Sequence, residues 1–236
     1  MTDDFQPPRE PPTREPMFNA PWPVAALIAA LIVTHAWRVL AHVSADRFAL
    51  TRTDLEAGRY LGLLTYLFTH GGWAHVLTNS AFTLAFGVPV ARLMTARARG
   101  ALAFFAFFLV CGVLAALGYA ALAWILAAVG HPQGNWALIG ASGAASGLMG
   151  AAALLIEGRG RIGPILGRTS VVMAVSWIAV NALLGLSGLT PGAAGMPVAW
   201  EAHIIGYFAG VFLIAPFARL AGVNGARRRA DGALAR

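Results

Sequence analysis

One serine, two histidines and one asparagine have the types and spacing that acyl transfer needs. Ser142 sits in Gly140-Ala141-Ser142-Gly143, at the head of an apolar stretch that continues to Ile156. His203 opens another apolar stretch, and His75 and Asn79 lie one helical turn apart at the start of a third, on one helix face. A hydroxyl nucleophile needs a base to take its proton and fixed donors where the oxyanion forms. Ser142 with His203 as base, and Asn79 with His75 as donors, supply those parts. Gly143, Gly147 and the Ala and Ser between them also have a plainer use as a packing face, because small residues at four-residue spacing let membrane helices approach closely. Their surroundings decide between the two.

With 58% hydrophobic and 11% charged residues, the 236-residue chain is too apolar for an ordinary soluble domain. It reads as an all-α polytopic membrane protein. The net charge of +7 comes from seventeen arginines and no lysine. A basic balance can indicate nucleic acid, but these arginines fall in loops between apolar spans, so the partner is a lipid bilayer and not nucleic acid. Cys111 is the only cysteine and lies inside an apolar run, so it forms no intrachain disulfide and serves packing. The polar start of the chain, with no small-residue cleavage site after the first apolar run, predicts that no signal is removed.

Six spans follow from hydropathy, at residues 24–43, 73–93, 101–128, 142–156, 169–186 and 201–218. They predict a six-helix transmembrane bundle over residues 21–218. Residues 1–20, rich in Pro with mixed charge, are expected to be a disordered cytoplasmic tail. Residues 219–236, with Arg227-Arg228-Arg229, are expected to be a basic cytoplasmic tail suited to anionic lipid. The patch Leu61 to Phe68 in the long first connection is too short to span and should lie in the interface or dip into it. Arg38, late in the first span, is expected to snorkel to the interface. His70, at the Gly71-Gly72 turn, is expected above the second span. Glu201 points to a different helix face from His203 and is expected at the interface.

Arginines flank the N-terminus, the 92–99 and 157–168 turns and the C-terminal tail, and are absent from the 129–139 and 188–200 loops. The positive-inside rule then makes both termini cytoplasmic. Spans two, four and six run from outside to inside, so His75, Asn79, Ser142 and His203 share one depth. Polar residues inside a membrane are costly and face a bundle interior or a wet cavity, so their alignment points to function. A transporter fits less well, since the polar set lies toward one leaflet and no inverted repeat is visible. His70 and His75 are not at i,i+4 and no His-Glu-x-x-His occurs, so no metal or other cofactor is expected.

Residues 142–156 make a helix of about 22 Å, against a hydrocarbon core of about 30 Å. With the Arg159 turn at the inner face, Ser142 is expected to start several Å below the outer one. A helix that begins inside the membrane needs water or protein at its free N–H groups, and it directs those donors and its positive dipole end at whatever binds there.

The sequence resembles the rhomboid intramembrane serine proteases. The resemblance rests on Gly140-Ala141-Ser142-Gly143 at the fourth span, on His203, Gly206 and Gly210 in the sixth, and on His70, His75 and Asn79 leading into the second. It covers about residues 24–218 and implies a Ser142–His203 catalytic dyad without an essential acid. It also implies an oxyanion hole from the Ser142 backbone N–H, His75 and Asn79, a partly embedded first loop, and a mobile cap at 188–200. The implied activity is cleavage of transmembrane segments of single-span membrane proteins, at small or helix-destabilising residues, in a cell membrane such as a bacterial inner membrane. The alternative is a noncatalytic rhomboid-like protein that binds or remodels membrane clients; such relatives usually lack the serine or histidine, and both stand here. The chain departs from many relatives in having Leu61-Gly62 where they carry Trp-Arg. It has Ser146 where some place an aromatic ring against the histidine. Ser146 lies about 6 Å deeper than Ser142 and is expected to face small residues such as Gly206, helping the fourth and sixth spans approach.

Overall fold

A computed structural model describes residues 20–94, 98–131, 134–187 and 199–223. The expected tails at 1–20 and 219–236 and the expected cap at 188–200 fall largely outside those residues. The elements in chain order are α1 (Trp22–Leu40), β1 (Leu50–Thr51), α2 (Arg52–Glu56), α3 (Gly62–Thr65), α4 (Trp73–Met94), α5 (Ala98–Ala128), β2 (Ala137–Leu138), α6 (Ser142–Glu157), α7 (Arg168–Ser187) and α8 (Trp200–Leu220). Among the described residues, five helices are long and apolar enough to cross a membrane: α1, α4, α5, α7 and α8. The fourth expected span, α6, is a shorter apolar helix of 16 residues. The protein is a multi-pass, all-α membrane bundle.

The short helix is the centre of that bundle. α6 packs against α4, α5, α7 and α8, and every residue from Gly143 to Leu155 except Met149 is buried. Its Gly-, Ala- and Ser-rich first half makes this possible by letting α8 approach backbone to backbone. A side chain added at Gly206 would collide with the Gly143 carbonyl, one at Gly210 with the Gly147 carbonyl, and one at Gly150 with the Tyr207 carbonyl. On another flank, Cys111 of α5 fills the space in front of Gly147, which gives the buried thiol its packing role.

The first connection folds against the bundle and holds the residues that precede α6. β1 pairs antiparallel with β2, Leu50 opposite Leu138 and Thr51 opposite Ala137. Thr51 caps α2 by accepting the Asp54 N–H at 3.1 Å, and its hydroxyl donates to the Asp54 carboxylate at 2.6 Å. That hydroxyl and the Arg59 guanidinium, 2.7 Å away, hold the Asp54 carboxyl below the usual carboxylate range. The apolar patch splits as an interfacial segment would: Leu61 and Leu64 are exposed, while Tyr66 and Leu67 are buried. Leu67 packs into the space left by Gly112 of α5, and the Tyr66 hydroxyl donates to the Gly112 carbonyl at 2.7 Å. Gly62 lies tight against Leu50 and Ala49. These contacts anchor the loop in place of a Trp-Arg pair.

Arg38 donates to the Val43 carbonyl at 3.0 Å and the His70 carbonyl at 2.6 Å, tying α1 to the first connection. His70 precedes α4 in the chain. It is fully buried, with its ring between those of His35 at 6.3 Å and His75 at 5.0 Å.

Candidate active site

The chain enters α6 through a sharp backbone reversal. Gly140 has φ +105°, a conformation L side chains rarely adopt, and its N–H donates to the Tyr66 carbonyl at 2.8 Å. Ala141 then occupies the N-cap position with no side-chain hydrogen bond. The first-turn N–H groups of α6 are therefore not taken up by a capping side chain.

Ser142 is the first residue of that turn, and its Oγ lies 2.8 Å from His203 Nε2 on α8. The close approach of Gly143 to Gly206 sets this distance, because it brings the two backbones together one turn beyond the histidine. On the other ring nitrogen, His203 Nδ1 lies 2.7 Å from Asn181 Oδ1 of α7. Trp177, one turn earlier on α7, holds its ring 6.3 Å from the His203 ring at 35°.

His75 and Asn79 stand across from the serine at the start of α4. A Cβ built on Gly140 would lie 2.6 Å from His75 Nε2 and 3.3 Å from Asn79 Nδ2. Both nitrogens thus converge on the residue two before Ser142. The Gly71 N–H donates to His75 Nδ1 at 3.4 Å, which leaves the Nε2 position to carry the proton of a neutral ring and to donate. Asn79 is buried, and its Nδ2 has no partner among the described residues. Ser142, His203, His75, Asn79, Asn181 and Trp177 together line a cavity of about 280 Å³.

Four residues singled out from sequence therefore come together, and two others do not join them. His70 stands behind His75 and does not line the cavity. Glu201 also lies off the cavity and is partly exposed. Ser146 does line it, but it does not mediate the approach of α6 to α8. Gly143 and Gly147 do that, while the Ser146 hydroxyl donates to the Ser142 carbonyl at 2.7 Å. The reason is helical geometry: the glycines share one face of α6, and Ser146 lies on the face turned to the cavity. Asn181 and Trp177 were not singled out. The one sequence signal for Asn181 was a lone amide inside an otherwise apolar span.

The family model described as Rhomboid domain matches residues 57–220, more than half of the chain. No curated protein matches it.

Proposed function

Because the chain belongs to the rhomboid family of membrane proteins, we propose that it is an intramembrane serine endopeptidase that cleaves transmembrane segments of single-span membrane proteins. The 2.8 Å hydrogen bond between Ser142 Oγ and His203 Nε2 carries this reading. His203 takes the hydroxyl proton as Ser142 Oγ attacks the scissile carbonyl carbon. The oxyanion that forms meets donors already in place: the free N–H groups at the head of α6, Asn79 Nδ2 and His75 Nε2. His203 then gives the proton to the departing amine, and water hydrolyses the acyl-enzyme with the same base. That hydrogen bond beside uncapped helix donors favours the protease over a noncatalytic client-binding protein.

Substrate class follows from backbone accounting. A carbonyl inside an intact helix is hydrogen-bonded and shielded by its own turn, so the cut segment must unwind locally. Residues that weaken a helix, glycine and the β-branched types, lower that barrier. The arginine distribution orients both termini to the cytoplasm in a cell membrane, with the cavity opening toward the opposite leaflet.

The test compares wild type with Ser142→Ala and His203→Ala on a single-span substrate in liposomes. Both variants are expected to lose cleavage while retaining the wild-type unfolding midpoint. Wild-type turnover by either one overturns the assignment.

A further inference from the structure

α7 is the loosest helix of the bundle, with only Ser170 and Asn181 buried. An amide at such a point in an apolar helix is unfavourable unless both its oxygen and its nitrogen find partners. Asn181 Nδ2 donates to the Trp177 carbonyl of its own helix at 2.9 Å. This contact fixes which way the amide faces, since the flipped form would set Oδ1 against a carbonyl oxygen. Oδ1 is then the atom 2.7 Å from His203 Nδ1. An amide oxygen can only accept, so Nδ1 must carry the ring proton. A neutral imidazole with its proton on Nδ1 has a free lone pair on Nε2, the nitrogen 2.8 Å from the Ser142 hydroxyl.

We propose that Asn181 is a positioning residue that holds His203 in the tautomer and ring orientation able to deprotonate Ser142. The inference rests on the protease reading above and extends the dyad to a Ser142–His203–Asn181 relay. Asn181 lines the cavity, and its contact with the dyad is to His203 Nδ1, the ring nitrogen that does not face Ser142. It acts through the imidazole, in the ground state by excluding the Nε2–H tautomer and in the transition state by accepting from the imidazolium. Packing does not account for it, because a leucine of similar size would fill the same place on a lipid-facing helix.

The test uses Asn181→Leu in the full-length protein, with two readouts. On a single-span substrate in liposomes, kcat is expected to fall about 10- to 100-fold with KM unchanged, the range for losing a hydrogen bond to a group that becomes charged. In ¹⁵N-histidine-labelled protein in bilayers, the His203 signals, assigned by their loss in His203→Gln, are expected to show Nδ1–H in wild type and a tautomer mixture in Asn181→Leu. A wild-type kcat in Asn181→Leu overturns the proposal, as does an Nε2–H ring in wild type. The wild-type spectrum decides even if the leucine variant does not fold. If instead wild type and Ser142→Ala are equally inactive, the protease reading fails, and the spectrum still reports on the Asn181 bond by itself.

Discussion

Gly206→Ala tests the link between helix packing and chemistry most directly. A Cβ at residue 206 would lie 2.9 Å from the Gly143 carbonyl carbon and 3.2 Å from its Cα, with the carbonyl oxygen closer still. Ordinary carbon contacts begin near about 3.5 Å, so α6 and α8 must part by roughly 0.6 Å or more at this point. Gly143 follows Ser142 directly and Gly206 is one turn from His203, so the separation acts on the dyad. A hydrogen bond of 2.8 Å stretched by that much passes the upper end of the useful range, about 3.2 Å. Misplacing a reacting group by about 1 Å costs on the order of 10²-fold in rate, and overpacking costs about 1–3 kcal/mol of stability. Gly206→Ala should therefore lower kcat about 100-fold and reduce the unfolding midpoint. The control is Gly72→Ala, whose added methyl meets nothing within 4 Å. Cleavage of a single-span substrate in liposomes, run beside thermal unfolding, separates the two effects. If Gly206→Ala kept both turnover and midpoint, the glycine contact would not set the Ser142–His203 distance.

Two further outcomes follow from other parts of the molecule. Asn79→Ala removes a donor that converges on Gly140, and should lower kcat by about 10²-fold with KM unchanged; an unchanged kcat would make Asn79 a packing residue. Asp54, whose carboxyl titrates below the usual range because of Thr51 and Arg59, should stabilise α2 above the unfolded carboxyl value of about 3.9. That stabilisation should disappear as pH falls through the lower folded value. Amide exchange in α2 measured across acid pH should show the loss in wild type and not in Asp54→Asn, and equal profiles would refute it.

The spans and most of the site were legible in the sequence because both rest on contrasts that hydropathy exposes. The long apolar runs marked the helices, with ends shifted by a few residues. α1 stops at Leu40 rather than Val43 because His42 turns to φ 52°. Ser142, His203, His75 and Asn79 stood out as polar groups at the same end of three apolar runs. The partners of Arg38 are not legible in the sequence, because they are backbone carbonyls at Val43 and His70, and every residue carries a carbonyl. Asn181 was passed over because its partner lies 22 residues away on another helix and nothing polar accompanies it one turn along α7. A residue whose role is to hold another leaves a weaker trace than one that must sit in a motif.

The head of α6 shows how the site and the fold constrain one residue together. Gly140 needs its positive φ for the chain to turn into the helix, and it also needs to lack a Cβ, because that atom would stand where His75 Nε2 and Asn79 Nδ2 converge. A serine or aspartate cap at residue 141 would stabilise an ordinary helix by about 1 kcal/mol. It would do so by taking first-turn N–H groups that, on the protease reading, are kept for the oxyanion. α6 forgoes that cap, and its stability comes instead from burial on all sides by α4, α5, α7 and α8. The catalytic helix on this reading is therefore the innermost one, held by its neighbours on every side while its first-turn N–H groups stay uncapped.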